Sequence, residues 1–251
     1  MPAAARRVAL LIGAAAILPV AAGAWPSPLA AANEPAGAFS PPTGSMVLTR
    51  TLRRPLTGDA EVVTTRRYEV RFVREDDGYR LDGRLLDVMV KAPPALEPLA
   101  ALERARPDDG MFPMRLDAGG GLRPLDGPGH SEQVREAGLR AGAAVGTLAL
   151  PPFDHAQASD FARFFEERSV RTDWPRDLFR PRPGRREESR TVTLVNGARG
   201  DVTVTTDASA DAASGMLSVY TRRVTTSLSD TASGEHRVTD ETWTLLPRPE
   251  G

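Results

Sequence analysis

The stretch from Glu61 to Arg74 constrains this chain most, because apolar and polar residues alternate through it with a period of two. Successive side chains of a strand point to opposite faces. Val62, Thr64, Arg66, Tyr68, Val70 and Phe72 therefore share one face, and Thr65, Arg67, Glu69 and Arg71 share the other. The same alternation runs through Met46 to Arg53. Thr57-Gly58-Asp59 between the two segments is a turn signal, and Asp76-Asp77-Gly78 closes the second. A third strand is predicted from Tyr79 to Lys91, with Leu86, Val88 and Val90 on one face and an end at Pro93-Pro94. Together the three read as an antiparallel meander.

Helical signals follow. Pro98 suits the first turn of a short helix that carries Leu99 and Leu102 and stops at Pro107. Met111 to Leu116 and Leu122 to Leu125 flank Asp117-Ala118-Gly119-Gly120-Gly121 as a hairpin. Ser131 can cap a helix reaching about Val145, in which Gly138, Gly142 and Gly146 are spaced by four, a pattern that favours close packing on a sheet. The clearest helix follows Pro151-Pro152. Asp154 and Gln157 have capping-box spacing, and Phe161, Phe164 and Phe165 recur at i, i+3 and i+4 up to about Arg168. Four more strands are predicted over Arg190 to Val195, Asp201 to Thr206, Met216 to Leu228 and His236 to Leu246, with Trp243 and Leu245 facing inward. Thr65-Arg66-Arg67 and Thr221-Arg222-Arg223 echo one another in mid-strand.

The pattern predicts an α+β domain over residues 46–246. About nine antiparallel strands form one strongly curved, half-barrel-like sheet, and about three helices inserted after the third strand pack on one face. In this predicted architecture, and through no motif, the chain resembles the periplasmic half-barrel carriers that shield lipid or lipoprotein acyl chains under a helical lid. The expected ligand is lipid-like or otherwise apolar, held in a cleft between the sheet and the aromatic helix. Phe161, Phe164, Phe165, Arg66 and Tyr68 are the candidate ligand-binding residues.

The first 24 residues read as a signal peptide. Arg6 and Arg7 form a basic n-region, Val8 to Val20 an apolar run, and Ala22-Gly23-Ala24 a small-residue cleavage site. Export across the inner membrane to the periplasm is the expectation. The surroundings of Arg6-Arg7 match the twin-arginine route poorly, which favours general secretion. The apolar run is shorter than the roughly 20 residues of a membrane-spanning helix, and no transmembrane segment is expected once it is cleaved. Residues 25–45, rich in Pro, Gly and Ala, read as a tether, and 247–251 as a short tail.

Cysteine is absent, so disulfides, thiolate metal sites and a cysteine nucleophile are excluded and packing alone must hold the domain. A formal net charge of -1, more acidic once Arg6 and Arg7 leave, argues against a nucleic-acid binder. Of 32 basic residues only Lys91 is a lysine, so any anionic partner meets forked guanidinium groups; the bias itself fits a GC-rich bacterial genome.

No motif points to catalysis or to a cofactor. His130, His155 and His236 lie in separate elements without metal-ligand spacing, and neither a G-x-S-x-G elbow nor a Walker loop occurs. Asp240 and Glu241 are adjacent in a strand and point to opposite faces, as do Glu187 and Glu188, so neither pair can act together. A cell-wall or glycan-acting enzyme is thus the weakest reading. Residues 171–190 interleave arginines with Trp174 and Phe179, which suits anionic groups of an envelope partner. Trp174, Arg182, Arg185 and Arg186 are the candidate partner-binding residues, against the plainer reading of a solvated connector pinned to the core by its two aromatics. Arg66 on an apolar face calls for a carboxylate such as Glu241 on a neighbouring strand, or for a concavity open to water.

Overall fold

A computed structural model of the chain describes residues 39–106, 111–124, 139–140, 142–147, 150–166, 174–193, 199–228 and 236–249. The predicted leader and most of the predicted tether lie outside these residues. The strands are β1 (Met46–Pro55), β2 (Glu61–Glu75), β3 (Gly78–Lys91), β4 (Met114–Asp117), β5 (Gly184–Thr193), β6 (Arg199–Ala210), β7 (Leu217–Leu228) and β8 (His236–Pro247). Three helices accompany them. They are α1 (Glu97–Ala105), entered through a 3-10 turn at Pro94–Leu96, α2 (139–140 and 142–147), and α3 (Pro152–Glu166).

All eight strands join one antiparallel sheet in the order β4-β3-β2-β1-β8-β7-β6-β5. Each half is a meander of sequence neighbours, and the halves meet only where the first strand pairs with the last, from Met46 opposite Pro247 to Arg53 opposite Asp240. The sheet is unclosed. The strand count corrects the expectation of about nine. Within the described residues 122–124 a single bridge, Leu116 to Leu122, stands in place of a strand, and the Leu122 N–H donates to the Arg176 carbonyl (2.7 Å) in the connector before β5. That connector is itself shorter than expected. β5 already begins at Gly184 and uses the charged run Arg185-Arg186-Glu187-Glu188 as a sheet edge.

The period-two pattern sorts one face toward the core. On β2, Val62, Thr64, Arg66, Tyr68, Val70 and Phe72 are all buried. Two apolar clusters lie on this face. The larger joins Tyr68, Val70 and Phe72 to Leu48, Leu81, Leu116, Tyr220, Trp243 and Leu245, covered by Phe39, Met111, Leu178 and Phe179. The smaller packs Leu56 and Val62 against Leu96, Leu99 and Ala100 of the α1 region, Val145 of α2, and Ala158, Phe161 and Ala162 of α3. Apolar burial holds the helices against the sheet here.

Phe39 falls in the segment read as tether, yet it is buried and accepts through its carbonyl a hydrogen bond from Tyr79 Oη (2.9 Å). Its ring lies where a Cβ on Gly120 would sit, 2.7 Å away, and Gly120 has φ of 85°. Only glycine fits that turn. Ordered packing thus begins upstream of Met46. In α3, Gln157 does not cap its own helix. Its side-chain amide donates to the Thr57 carbonyl (2.9 Å) and ties the helix to the β1–β2 turn.

Phe161 is 2% exposed in the smaller cluster. Phe161→Ala is expected to lower the free energy of urea unfolding by about 3 to 5 kcal/mol, and a loss under about 1 would refute its core role.

Candidate functional site

Between the two apolar clusters the core-side face carries a belt of buried charge. The sheet register creates it. Arg50 sits opposite Arg66 on one side and Trp243 on the other, and Arg222 sits opposite Glu241. Like charges directly opposite repel, so each arginine must turn to its own carboxylate. Arg66, 2% exposed, reaches out of the sheet to α1, where its Nη2 donates to the Glu103 carbonyl (3.0 Å) and to Glu103 Oε1 (3.4 Å). Arg106 Nη2 donates to the same Oε1 (3.2 Å). Arg50 turns the other way, to Glu241 Oε1, while Arg222 holds Glu241 Oε2 with Nη2 and with Nε (3.0 Å).

The pairing corrects the expectation for Arg66, whose carboxylate comes from a helix and not from a strand. Glu241 instead joins β1, β8 and β7 in an Arg50–Glu241–Arg222 triad. Asp240 points to the other face and pairs with Arg223 (2.6 Å), the opposition expected of neighbours in a strand.

Aromatic rings box the triad. The Arg50 guanidinium lies 5.5 Å from the Trp174 ring centroid and 5.8 Å from that of Trp243, and Arg222 lies 5.3 Å from Trp243. The two indoles are 6.2 Å apart, and Tyr220 meets Trp243 edge to face at 5.7 Å. Such cation–π contacts partly offset the desolvation of the guanidiniums. The belt continues toward the β5 edge. Arg186 donates to Asp177 Oδ2 (3.0 Å) and Thr206 Oγ1 (3.5 Å), and Tyr220 Oη donates to Asp177 Oδ1 (3.4 Å). Burial first, and Asp177 second, push the Tyr220 hydroxyl up to about 12.

The candidate ligand-binding residues do not share one opening. Phe161 is interior to the helix-side cluster, Tyr68 is interior to the larger one and meets Phe112 edge to face, and Arg66 lies in the belt between them. The side chains of Phe164 and Phe165 lie outside the described residues. Of the candidate partner-binding residues, Trp174 packs half-buried on the larger cluster, Arg186 is tied to Asp177, and Arg182 and Arg185 are exposed. Arg50 and Arg222 are not among the candidate residues drawn from the sequence, although the signal is present there. Arg50 alternates with Met46, Leu48 and Leu52, and Arg222 with Tyr220 and Val224, the argument that singled out Arg66.

Among the described residues no group of three His, Asp or Glu is placed to hold a metal ion, and no helix is long and apolar enough to cross a membrane. Comparison with models of known protein families gives no match, and no curated protein matches the sequence.

Burial by itself pushes the Glu241 carboxyl up, but Arg50 and Arg222 outweigh it and hold the group at about 2, below the ordinary 4.5. A depressed folded pKa stabilises the protein above the unfolded value and loses that contribution as pH falls toward 2. Unfolding free energy is therefore expected to fall between about pH 4.5 and 2, with Glu241 responsible for on the order of 3 kcal/mol. Glu241→Gln should flatten this part of the profile. Glu69, Asp77 and Asp211, held low by Arg248, Arg123 and the Ser214 backbone N–H, remain in both proteins. Equal slopes would show that the triad is not the source.

Proposed function

We propose that this protein is an exported, non-catalytic binding module of the bacterial cell envelope that holds a lipid-like or other apolar ligand against the core-side face of its sheet. In this reading the sheet curves as a half-barrel around the ligand. The supporting observation is an asymmetry between the two halves of that face. Over β1, β2 and β4 it is filled by buried side chains, and on β3 Leu85 and Val90 pack half-buried against the two clusters, whereas Val202 and Val204 of β6 and Val224 of β7 are half-buried outside both clusters. They share one face because Val204 pairs with Val224, and Val224 lies two residues beyond Arg222. The opposite face of the same strands carries Ser189, Thr203, Thr205, Thr225 and Arg223, with hydroxyl pairs such as Ser189–Thr203 (2.9 Å), as a water-facing surface should. Half-exposed valines on the core side are therefore the apolar surface open to a ligand.

The mature protein is expected to carry lipid detectable by mass spectrometry and to take up a fluorescent fatty acid saturably. Val204→Asp should abolish uptake without unfolding the domain. Absence of both lipid and uptake in the unaltered protein would end this reading.

A second reading, an envelope interaction protein, is favoured by Arg182 and Arg185. Both are exposed beside the β5 edge, and among the described residues neither guanidinium has an acidic partner. Arg182→Glu with Arg185→Glu is expected to remove co-purification with envelope material while Tm moves by less than about 2 °C, because exposed charges contribute little to stability. Unchanged association would dismiss the connector as a docking site.

A further inference from the structure

We infer that the Arg50–Glu241–Arg222 triad is the head-group site for an anionic, single-chain amphiphile, a carboxylate whose tail runs along Val224, Val204 and Val202. This rests on the binding-module reading and narrows it to one ligand class. Three observations carry it. First, charge does not balance. Two guanidiniums share the single carboxylate of Glu241, and neither has another acidic partner among the described residues. The neighbouring acid Asp177 is taken by Arg186 and Tyr220. A buried site with one net positive charge is strongly biased toward an anion.

Second, donors are left over. Arg50 Nε, Trp174 Nε1 and Trp243 Nε1 are buried without a hydrogen-bond partner, and they belong to three side chains in mutual contact, Trp243 being 0% exposed. Buried N–H groups normally have acceptors. The oxygens of a carboxylate offer lone pairs that both arginine forks and indole N–H groups can use. Third, the site meets solvent on one side, at Arg222, and has an apolar continuation on that side. The Arg222 side chain is the most exposed of the triad, at 17%, and from it the core-side face of β7 and β6 leads to Val224, Val204 and Val202. Head and tail of a fatty acid need this order of charge and then aliphatic surface.

Trp174 and Trp243 are two of the chain's three tryptophans, so intrinsic fluorescence reports on the site directly. The full mature protein is titrated with laurate, dodecanol and acetate. Laurate is expected to change the emission saturably and to bind at least tenfold more tightly than either dodecanol or acetate. Arg222→Gln should lose at least tenfold in laurate affinity and little for dodecanol, while Arg223→Gln, on the other face, should behave as wild type. Equal affinity for laurate and dodecanol overturns the head-group assignment but leaves the binding module standing. Acetate binding as tightly as laurate overturns the amphiphile, and no binding of either chain overturns both readings. If Arg222→Gln does not fold, the laurate and dodecanol comparison on the unaltered protein decides.

Discussion

The pairing of β1 with β8 is the constraint on which the rest of this structure depends. It is the one seam in the sheet where the N-terminal and C-terminal meanders meet, and it unites residues as far apart as Arg50 and Glu241, separated by 191 positions. Closing so long a loop is entropically unfavourable before any contact forms, and long-range strand pairing is slow. No disulfide helps. The seam must therefore hold through its own register, through Leu48, Trp243 and Leu245 beneath it, and through the triad that ties both strands to β7.

A buried salt bridge is not by itself a source of stability, because desolvation of the ions can exceed their attraction. Its energetic meaning lies in the alternatives. Removing Glu241 would leave two guanidiniums buried against Trp243, and removing either arginine would leave the carboxylate half-satisfied, a change of about 3 to 5 kcal/mol in comparable buried pairs. The same logic applies at Arg66, Glu103 and Arg106, which fasten α1 to β2. In each case an arginine of the sheet is held by a glutamate from another element, and these two glutamates fix how the halves and the helix sit on one face.

Much of this was legible in the sequence. The alternation of Glu61 to Arg74 marks the buried face of β2 residue by residue, Trp243 and Leu245 are interior as strand alternation predicts, and Phe179 is interior as an aromatic that pins its connector to the core. The strand expected over Arg190 to Val195 is present, but its charged first half, Gly184 to Ser189, is not legible as strand. Edge strands face water on much of their surface and need no apolar period, and the charges of Arg185 to Glu188 that disguise it also discourage pairing with another chain. The partner of Arg66 is hidden in the sequence for a different reason. Period two tells which face a side chain takes, but not which element covers that face, and α1 delivers Glu103 there only through the turn at Pro94–Leu96. The site is hidden because its arginines lie on strands far apart in the sequence, Arg66 on β2, Arg50 on β1 and Arg222 on β7, which only the sheet order brings together around β8.

The Thr-Arg-Arg echo acquires a meaning in this frame. Its two copies lie on β2 and β7, the strands that flank the central pair, and in both the middle arginine turns to the core and the last one outward. Strands so rich in threonine present two weakly contrasting faces, and register is poorly specified in such strands. A one-residue slip of β7 would carry Arg222 to solvent. A two-residue slip would keep the faces but set Arg222 opposite Thr239 or Trp243, leaving Glu241 a cation short in the interior. Val224 alone would not forbid that slip, since it would only exchange Val204 for Val202 or Thr206 as its partner on β6. Charge does. The triad thus fixes the register that aligns the valine surface with the two arginines, and the same side chains that make the sheet unique are those that leave a positive charge at its centre.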